Sequence, residues 1–142
     1  MRAVLCGANG AMGKLIDGQL PQEVAGRVSL DGENGVARTF DQLGPVEADV
    51  VMDFSHHSAI SDVLAYAKGI GAAAVIGTTG HTEAEKAEIL AASQEIPVFY
   101  SGNMSLGIAV LCRLAQQAAA AFPDADIEIV EVHHNRKVDA PS

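Results

Sequence analysis

The sequence predicts an α/β fold, a doubly wound parallel sheet that carries helices on both faces. Short apolar runs alternate with helical patterns along the chain, and glycine or proline separates many of these segments. Hydrophobic residues make up 49% of the 142 residues and charged residues 19%, a composition that favours a packed core over disorder. Right-handed crossovers between parallel strands would then place helices on both sides of the sheet.

Six strands are predicted from the apolar runs. They cover residues 2–6, 27–31, 48–53, 72–76, 97–100 and 126–132. Helices are predicted from the first glycine-rich turn to about residue 20, over 58–68, from Thr82 to about 94, and from Ser105 to about 121. Thr82 and Glu85 have the spacing of a capping box, and Ser105 is a suitable N-cap. Ligands of such sheets bind at the carboxyl ends of the strands, so the loops there are the candidate site.

Composition excludes several classes of partner. The net charge of −9 disfavours nucleic acid, because an acidic surface repels phosphate backbones, but it permits a small anion bound by backbone amides. No apolar run is long enough for a membrane span, and none near the start suits a secretory leader. Cys6 and Cys112 both lie in apolar runs and are predicted to be buried thiols of a reducing compartment. We therefore expect a soluble cytoplasmic domain.

A glycine-rich loop follows the first predicted strand and opens a helix. Gly7, Gly10 and Gly13 have the spacing Gly-x-x-Gly-x-x-Gly. The first glycine permits a sharp turn, the second lets backbone approach a pyrophosphate, and the third lets the helix pack closely on the strand. Free amides and the helix dipole favour a phosphate there, which predicts a Rossmann-like nucleotide-binding domain. A turn that binds nothing is the alternative, which the order of strand, loop, helix and acidic residue disfavours.

The acidic residue is Asp31, at the end of the predicted second strand. A carboxylate in this position can accept hydrogen bonds from the ribose diol of a dinucleotide. The residues that follow, Gly32, Glu33 and Asn34, include no cation that would receive a 2′-phosphate. The sequence therefore favours NADH over NADPH, unless Arg38 folds back towards Asp31.

Three further loops lie at the same predicted edge, at residues 53–57, 77–80 and 101–105. In the first, Asp53 and Ser55 are predicted to line the cleft. His56 and His57 are predicted to have surface or capping roles, because no ligand partner stands at metal-binding spacing, and no metal is expected. The glycines and threonines of the second loop suit a carboxamide, although many ordinary turns look alike.

The last residues combine two histidines with two cations just past the sixth predicted strand. His133 and His134 could donate or accept a proton near neutral pH, and Lys137 could bind a carboxylate. Neighbours on an extended strand point to opposite faces, so the two histidines would not easily share a metal ion. A charged strand end exposed to water is the plainer interpretation, and spacing alone leaves both open.

The same segment reads Glu128-x-x-Glu131-x-His133-His134-x-x-Lys137-x-Asp139-x-Pro141-Ser142. This pattern resembles the signature of the dihydrodipicolinate reductases, which are also called 4-hydroxy-tetrahydrodipicolinate reductases. The segments at 7–13, 53–55, 77–80 and 103–107 follow in the family's order, so the resemblance covers the whole chain. It implies reduction of a cyclic imine dicarboxylate, 4-hydroxy-tetrahydrodipicolinate, by NADH or NADPH in lysine and diaminopimelate biosynthesis.

The resemblance also implies roles for individual residues. It makes His133 the acid–base residue, Lys137 a second catalytic residue that assists protonation, and His134 a substrate-binding residue. The implied cofactor-binding residues are Gly7, Asn9, Gly10, Ala11, Met12, Gly13, Asp31, Phe54, Gly77, Thr78, Thr79, Ser101, Asn103 and Met104.

The chain departs from the family pattern in three places. Ala11 stands where the family usually has Arg or Lys, and Ser101-Gly102 stand where Ala-Pro is common. The family motif continues beyond the position of Ser142. We therefore expect a nucleotide-binding domain over 1–125, and at 126–142 the first strand and catalytic loop of a truncated second α+β domain. Without the rest of that domain, the 142 residues are expected not to turn over substrate, and the full-length protein is expected to be a homotetramer.

Two other functions stay open at this point. A redox-sensing module that binds nucleotide without chemistry would need the glycine loop but not His133, His134 and Lys137 together. A different dehydrogenase on the same fold is the other alternative, because fold does not determine function.

Overall fold

A computed structural model describes residues 1–132. The chain divides into two compact units, one over Met1–Gly102 and one that begins at Asn103. The first unit contains the sheet and the helices that cover it. In its described part, the second unit contains one helix, which is followed by chain without regular secondary structure. The domain boundary between residues 125 and 126 stays a prediction.

The first unit is built on one parallel sheet of five strands in the order β2-β1-β3-β4-β5. The strands are β1 Ala3–Cys6, β2 Val24–Val28, β3 Val50–Asp53, β4 Ala73–Ile76 and β5 Val98–Tyr100. Strand order reverses at β1, which has β2 on one side and β3 on the other. Loops that leave β1 and β3 in opposite directions open a crevice at their carboxyl ends, and this is where such sheets bind ligands.

Five α-helices are described. They are α1 Ala11–Gln19, α2 Phe40–Leu43, α3 Ile60–Ile70, α4 Glu83–Ala92 and α5 Leu106–Ala121, with short 3-10 turns at Glu33–Gly35 and His57–Ala59. Local signals start two of them as predicted. Thr82 and Glu85 form a reciprocal capping box at the start of α4, and the Ser105 side chain accepts a hydrogen bond from the Ile108 amide of α5.

Alternate side chains of the buried strands enter two separate apolar cores, one on each face of the sheet. Val4 and Val51 pack with the buried side chains of α3 and α4, whereas Leu5 and Val24 pack with Ile16 of α1 on the other face. Strands buried on both faces read as continuous apolar runs, which is why the sequence pattern detected them. The predicted α/β fold with helices on both faces is confirmed.

The second strand lies earlier than predicted, over Val24–Val28 instead of 27–31. Its buried positions are Val24, Gly26 and Val28, and its register pairs Val24 with Ala3 and Val28 with Cys6. Pairing with β1 therefore ends at Val28, and Leu30 beyond it is 75% exposed. Asp31 consequently stands in the loop after β2 and not at the end of the strand.

Two predictions about the later part of the chain are wrong. Residues 126–132 form no strand, and the described part of the second unit offers no other strand with which they could pair. Cys112 is exposed on α5 instead of buried, as are Leu111 and Leu114, because no other described helix or strand of that unit packs on α5. Among the residues described, no helix combines the length and the apolar character needed to cross a membrane.

Candidate functional site

A cavity of about 1010 Å³ opens at the carboxyl ends of β1, β2 and β3. Its size is at the upper end of the range for small-molecule sites. Among the residues that line it are Gly7, Asn9, Gly10, Asp31, Arg38, Phe54 and Ser55, which come from all three loops, and Tyr66 and Ile70 of α3. The strand-order reversal thus brings the predicted glycine loop, the predicted acidic residue and Phe54 to one cleft.

The glycines of the first loop are required by close backbone contacts. Gly7 has φ +81°, and a Cβ added there would lie 2.3 Å from the carbonyl oxygen of Phe54. A Cβ on Gly13 would lie 2.1 Å from the Gly7 carbonyl oxygen, so α1 packs directly against the turn that precedes it. A larger residue at position 7 would force the β1 and β3 loops apart, and one at position 13 would push α1 away from the turn that precedes it.

The start of α1 is open to a ligand. Gly10 is the N-cap, and no described side chain caps the first amides of this helix. Ala11 and Met12 follow on the exposed first turn. Uncapped amides at a helix start and the helix dipole together attract an anion such as a pyrophosphate.

Asp31 is held beside this loop by Asn9. The Asn9 side-chain amide donates to the Asp31 carboxylate and, at 3.2 Å, to the carbonyl oxygen of Glu33. The hydrogen bond from Asn9 lowers the pKa of Asp31, and the amide of Glu33 lowers it further, so the carboxylate is ionised at neutral pH. Asn9 therefore joins the loop after β1 to the loop after β2 and orients an anionic acceptor at the cleft.

Arg38 folds back to the same place. Its Nη2 donates to the main-chain oxygen of Asp31 at 3.2 Å, and a Cβ on Gly32 would lie 2.6 Å from the Arg38 Nε. The guanidinium thus lies across Gly32, and it lines the cavity together with Asp31. The cleft therefore presents both the Asp31 carboxylate, which suits a ribose hydroxyl, and the Arg38 cation, which suits a 2′-phosphate. The sequence alone favoured the first of these two partners.

The loops after β3 and β4 are joined behind the cleft. The Phe54 ring lies over Gly77, where an added Cβ would be 2.3 Å from the ring. The Ser55 amide donates to the Thr78 hydroxyl at 3.0 Å, and the Gly77 amide donates to the Asp53 carbonyl oxygen at 2.9 Å. Gly77 therefore lies next to Phe54 and Thr78 next to Ser55, but Gly77, Thr78 and Thr79 are not part of the lining of the cavity itself.

The remaining predicted residues belong to later segments of the chain. The Ser101 amide donates to the Ile76 carbonyl oxygen at 3.1 Å, which extends the pairing of β4 and β5. Asn103 and Met104 belong to the second unit, where Asn103 Oδ1 accepts a hydrogen bond from the Ser105 amide at 2.9 Å. His133, His134 and Lys137 lie outside the described residues.

Of the two histidines of the β3 loop, His56 has the predicted capping role, whereas His57 is half-buried and pairs with a carboxylate. The His56 side chain caps the 3-10 turn by accepting a hydrogen bond from the Ser58 amide. His57 Nδ1 lies 2.9 Å from a carboxylate oxygen of Glu85 on α4. The contact between His57 and Glu85 fastens the β3 loop to α4.

Sequence reasoning missed a buried polar cluster beneath the β3 and β4 loops, and its prediction that Asp53 lines the cleft is wrong, because Asp53 is not part of the lining. Asp53 is fully buried, and His81 is only 6% exposed. Burial, followed by the charge of Asp53, raises the pKa of the neighbouring Cys6 thiol to about 12, so this cysteine is neutral and unreactive. An aspartate that directly ends an apolar strand was the available signal for Asp53, whereas His81 had none.

A parallel sheet with this order reversal and a glycine loop at the reversal define a nucleotide-binding α/β protein. Residues 1–104 match the family model described as dihydrodipicolinate reductase, N-terminus, and residues 107–142 match the one described as dihydrodipicolinate reductase, C-terminus. The chain belongs to the dihydrodipicolinate reductase family.

Curated relatives agree with this assignment. The chain is 43% identical over 145 residues to a 4-hydroxy-tetrahydrodipicolinate reductase of Alkaliphilus oremlandii, a match that covers 100% of this chain and 58% of the relative. It is 43% identical over 152 residues to that of Caldanaerobacter subterraneus, covering 100% and 59%. With that of Campylobacter jejuni it is 42% identical over 138 residues, covering 96% and 55%. The chain thus spans less than two thirds of the length of these relatives.

Proposed function

We propose that this chain is the nucleotide-binding part of a 4-hydroxy-tetrahydrodipicolinate reductase, and that its first unit binds NADH or NADPH. The observation that carries the proposal is that the uncapped start of α1, Asp31 and Arg38 meet in one cleft. The reduced nicotinamide supplies a hydride for the reduction of the cyclic imine. The substrate is inferred from the names of the relatives, and the binding of a nucleotide is inferred from the geometry of the cleft.

Each end of the nucleotide has suitable partners. The amides that follow Gly10 suit the pyrophosphate, and the ionised Asp31 suits the hydroxyls of the adenosine ribose. The Phe54 ring and the Gly77–Thr79 backbone stand at the next loops along the sheet, where we place the nicotinamide. For the chemistry we assign proton transfer to His133 and Lys137, and substrate binding to His134, on the resemblance to the family.

We also propose that both nucleotides bind, with NADH favoured. A 2′-hydroxyl can donate to the Asp31 carboxylate, whereas a 2′-phosphate would be repelled by this carboxylate and attracted by Arg38. Because Arg38 already donates to the main-chain oxygen of Asp31, it is in place to contact such a phosphate. For the whole protein we propose a homotetramer in the cytoplasm, where its free Cys6 and Cys112 would stay reduced.

Calorimetric titration with NADH and NADPH in parallel tests the proposal. We expect R38Q to weaken NADPH binding about tenfold and NADH binding much less, the effect of losing one charged hydrogen bond. D31N should weaken NADH binding and reduce the difference between the affinities for NADH and NADPH. Arg2 precedes β1 at the opposite end of the strand and forms an exposed pair with Glu47, so R2Q is the matched control and should change neither affinity.

Failure of the unmodified chain to bind either nucleotide would contradict the nucleotide-binding proposal. If R38Q weakened both nucleotides equally, the assignment of Arg38 to the 2′-phosphate would be wrong, while nucleotide binding itself would stand.

A further inference from the structure

The buried cluster under the β3 and β4 loops contains two unsatisfied polar atoms. His81 lies directly after the 77–80 loop, and its Nδ1 is 3.3 Å from the Tyr100 hydroxyl of β5. Its Nε2 has no hydrogen-bond partner among the described residues, and neither has Oδ2 of the fully buried Asp53. Unpaired buried polar atoms are costly and rare, so two of them in one cluster call for a role.

Charged and titratable groups surround the imidazole on several elements. Asp53 faces it from the end of β3, Glu85 and Lys86 from α4, and His57 from the 3-10 turn, with the two ring centroids 6.4 Å apart. The Tyr100 ring of β5 meets it edge-on, with centroids 5.3 Å apart. Burial lowers the pKa of His81, and the negative charges of Asp53 and Glu85 oppose this effect only in part.

The cluster is connected to the proposed nucleotide site through Asp53. The Asp53 carbonyl oxygen accepts a hydrogen bond from the Gly77 amide, and its carboxylate accepts one from the Ser55 amide. Ser55 directly follows Phe54, and Gly77 is the first residue of the 77–80 loop. His81 holds the other end of that loop, so any movement of its ring moves the loop on which the nicotinamide is proposed to rest.

We propose that His81 is a positioning residue of the nucleotide site, which holds the 77–80 loop in place while its imidazole is neutral and releases the loop when the imidazole is protonated. This inference rests on the proposed function. A charged imidazolium requires water or a full set of hydrogen-bond acceptors, and a ring this deeply buried obtains water only if the loop opens.

The direction of the pH dependence follows from the burial. Because the folded loop disfavours the charged ring, the opened loop binds a proton more readily than the closed loop. The stability of the closed loop is therefore fully present above the ordinary titration range of histidine and is lost as the pH falls through that range. Nucleotide binding, which needs the closed loop, weakens in the same direction.

Two measurements on the 142-residue chain test the inference. The first is the protection of the Gly77 amide against hydrogen exchange in the absence of nucleotide. This amide donates to the Asp53 carbonyl oxygen in the closed loop, so it exchanges only when the loop opens. The second is the Kd for NADH between about pH 8 and about pH 6. We expect the Kd to rise about two- to fourfold over this range, because one proton that binds the opened loop with the ordinary histidine pKa of about 6.5 limits the effect at pH 6 to about fourfold.

Variants assign the dependence to His81. H81F keeps an aromatic ring without a titrating nitrogen, and H81Q keeps a polar side chain. Both should give a nearly pH-independent Kd and a nearly pH-independent protection factor of the Gly77 amide, which is the intrinsic exchange rate at each pH divided by the observed rate. H57Q removes the neighbouring half-buried histidine and should keep the wild-type dependence. The inference is overturned if the wild type shows no dependence, or if H81F and H81Q retain it. If no variant binds NADH at any pH, the proposed function fails, and Gly77 exchange then decides the role of His81 in the loop.

Discussion

At the residue scale, the glycines of the first loop and of α1 show that a glycine is required only where a side chain would collide with neighbouring atoms. Gly13 and Gly18 both lie in α1 and are two turns or less apart. A Cβ on Gly13 would overlap the Gly7 carbonyl oxygen at 2.1 Å, whereas a Cβ on Gly18 would meet nothing within 4 Å. The same residue type is therefore structural at one position and dispensable at the other.

We predict that G13A destabilises the chain by about 1–3 kcal/mol, the usual cost of forcing an extra group into a packed contact, and weakens nucleotide binding. G18A is the matched control in the same helix. It should be neutral or should stabilise by up to about 1 kcal/mol, because alanine favours helix more than glycine. Urea unfolding of both variants measures the difference. Equal effects would contradict the close packing of α1 on the loop.

At the element scale, α4 is joined to the sheet through the residues at its start. Glu85 receives hydrogen bonds from His57 and from the Thr82 amide. The hydrogen bond from His57, followed by that from the Thr82 amide, lowers the pKa of Glu85 from 4.5 to about 2. One carboxylate thus completes the capping box and also fastens the 3-10 turn of the β3 loop.

We predict that acid weakens this attachment. A carboxylate with a lowered pKa stabilises the fold above its ordinary pKa, and this contribution is lost as the pH falls from 4.5 towards about 2. E85Q should lower stability at neutral pH and reduce its loss in acid. Glu88, on the exposed face of the same helix, provides the matched control E88Q. The pH dependence of unfolding by circular dichroism is the measurement, and an unchanged acid slope in E85Q would contradict this role.

At the scale of the whole molecule, the sheet separates two cores, and neighbouring residues of one strand serve opposite faces. Ile76 of β4 is fully buried in the core under α3 and α4. Val75, beside it, points to the other face and is only partly buried. The stability of the first unit should depend mainly on the face that α3 and α4 cover.

We predict that I76A costs about 2–5 kcal/mol, the loss typical of a large buried side chain that leaves a cavity. V75A, the neighbouring control, should cost clearly less, because its side chain buries less apolar area. Denaturant unfolding that follows the first unit, for example through exchange of β1 amides, separates the two variants. Comparable losses would contradict the assignment of the main core to one face.

Local signals in the sequence determined the positions of most strands and the starts of several helices. Apolar runs located all five strands of the sheet, with one displaced by a few residues, and glycine spacing and capping residues located the starts of α1, α4 and α5. These features depend on neighbours within one turn or one strand, so the chain encodes them directly. The signature around His133 and His134 indicated the family, and the comparisons confirmed it.

Only the tertiary structure decided the features that depend on distant pairings. Strand register with β1 ends β2 at Val28, and this moves Asp31 into the loop where Arg38 folds over Gly32. Segment 126–132 shows the converse, because an apolar pattern forms a strand only where a partner strand can satisfy its backbone. Asp53 and His81 come together only because β3 and β4 are adjacent in the sheet. The sequence determines local conformation, but burial, charge environment and the shape of the cleft arise from contacts between residues far apart in the chain.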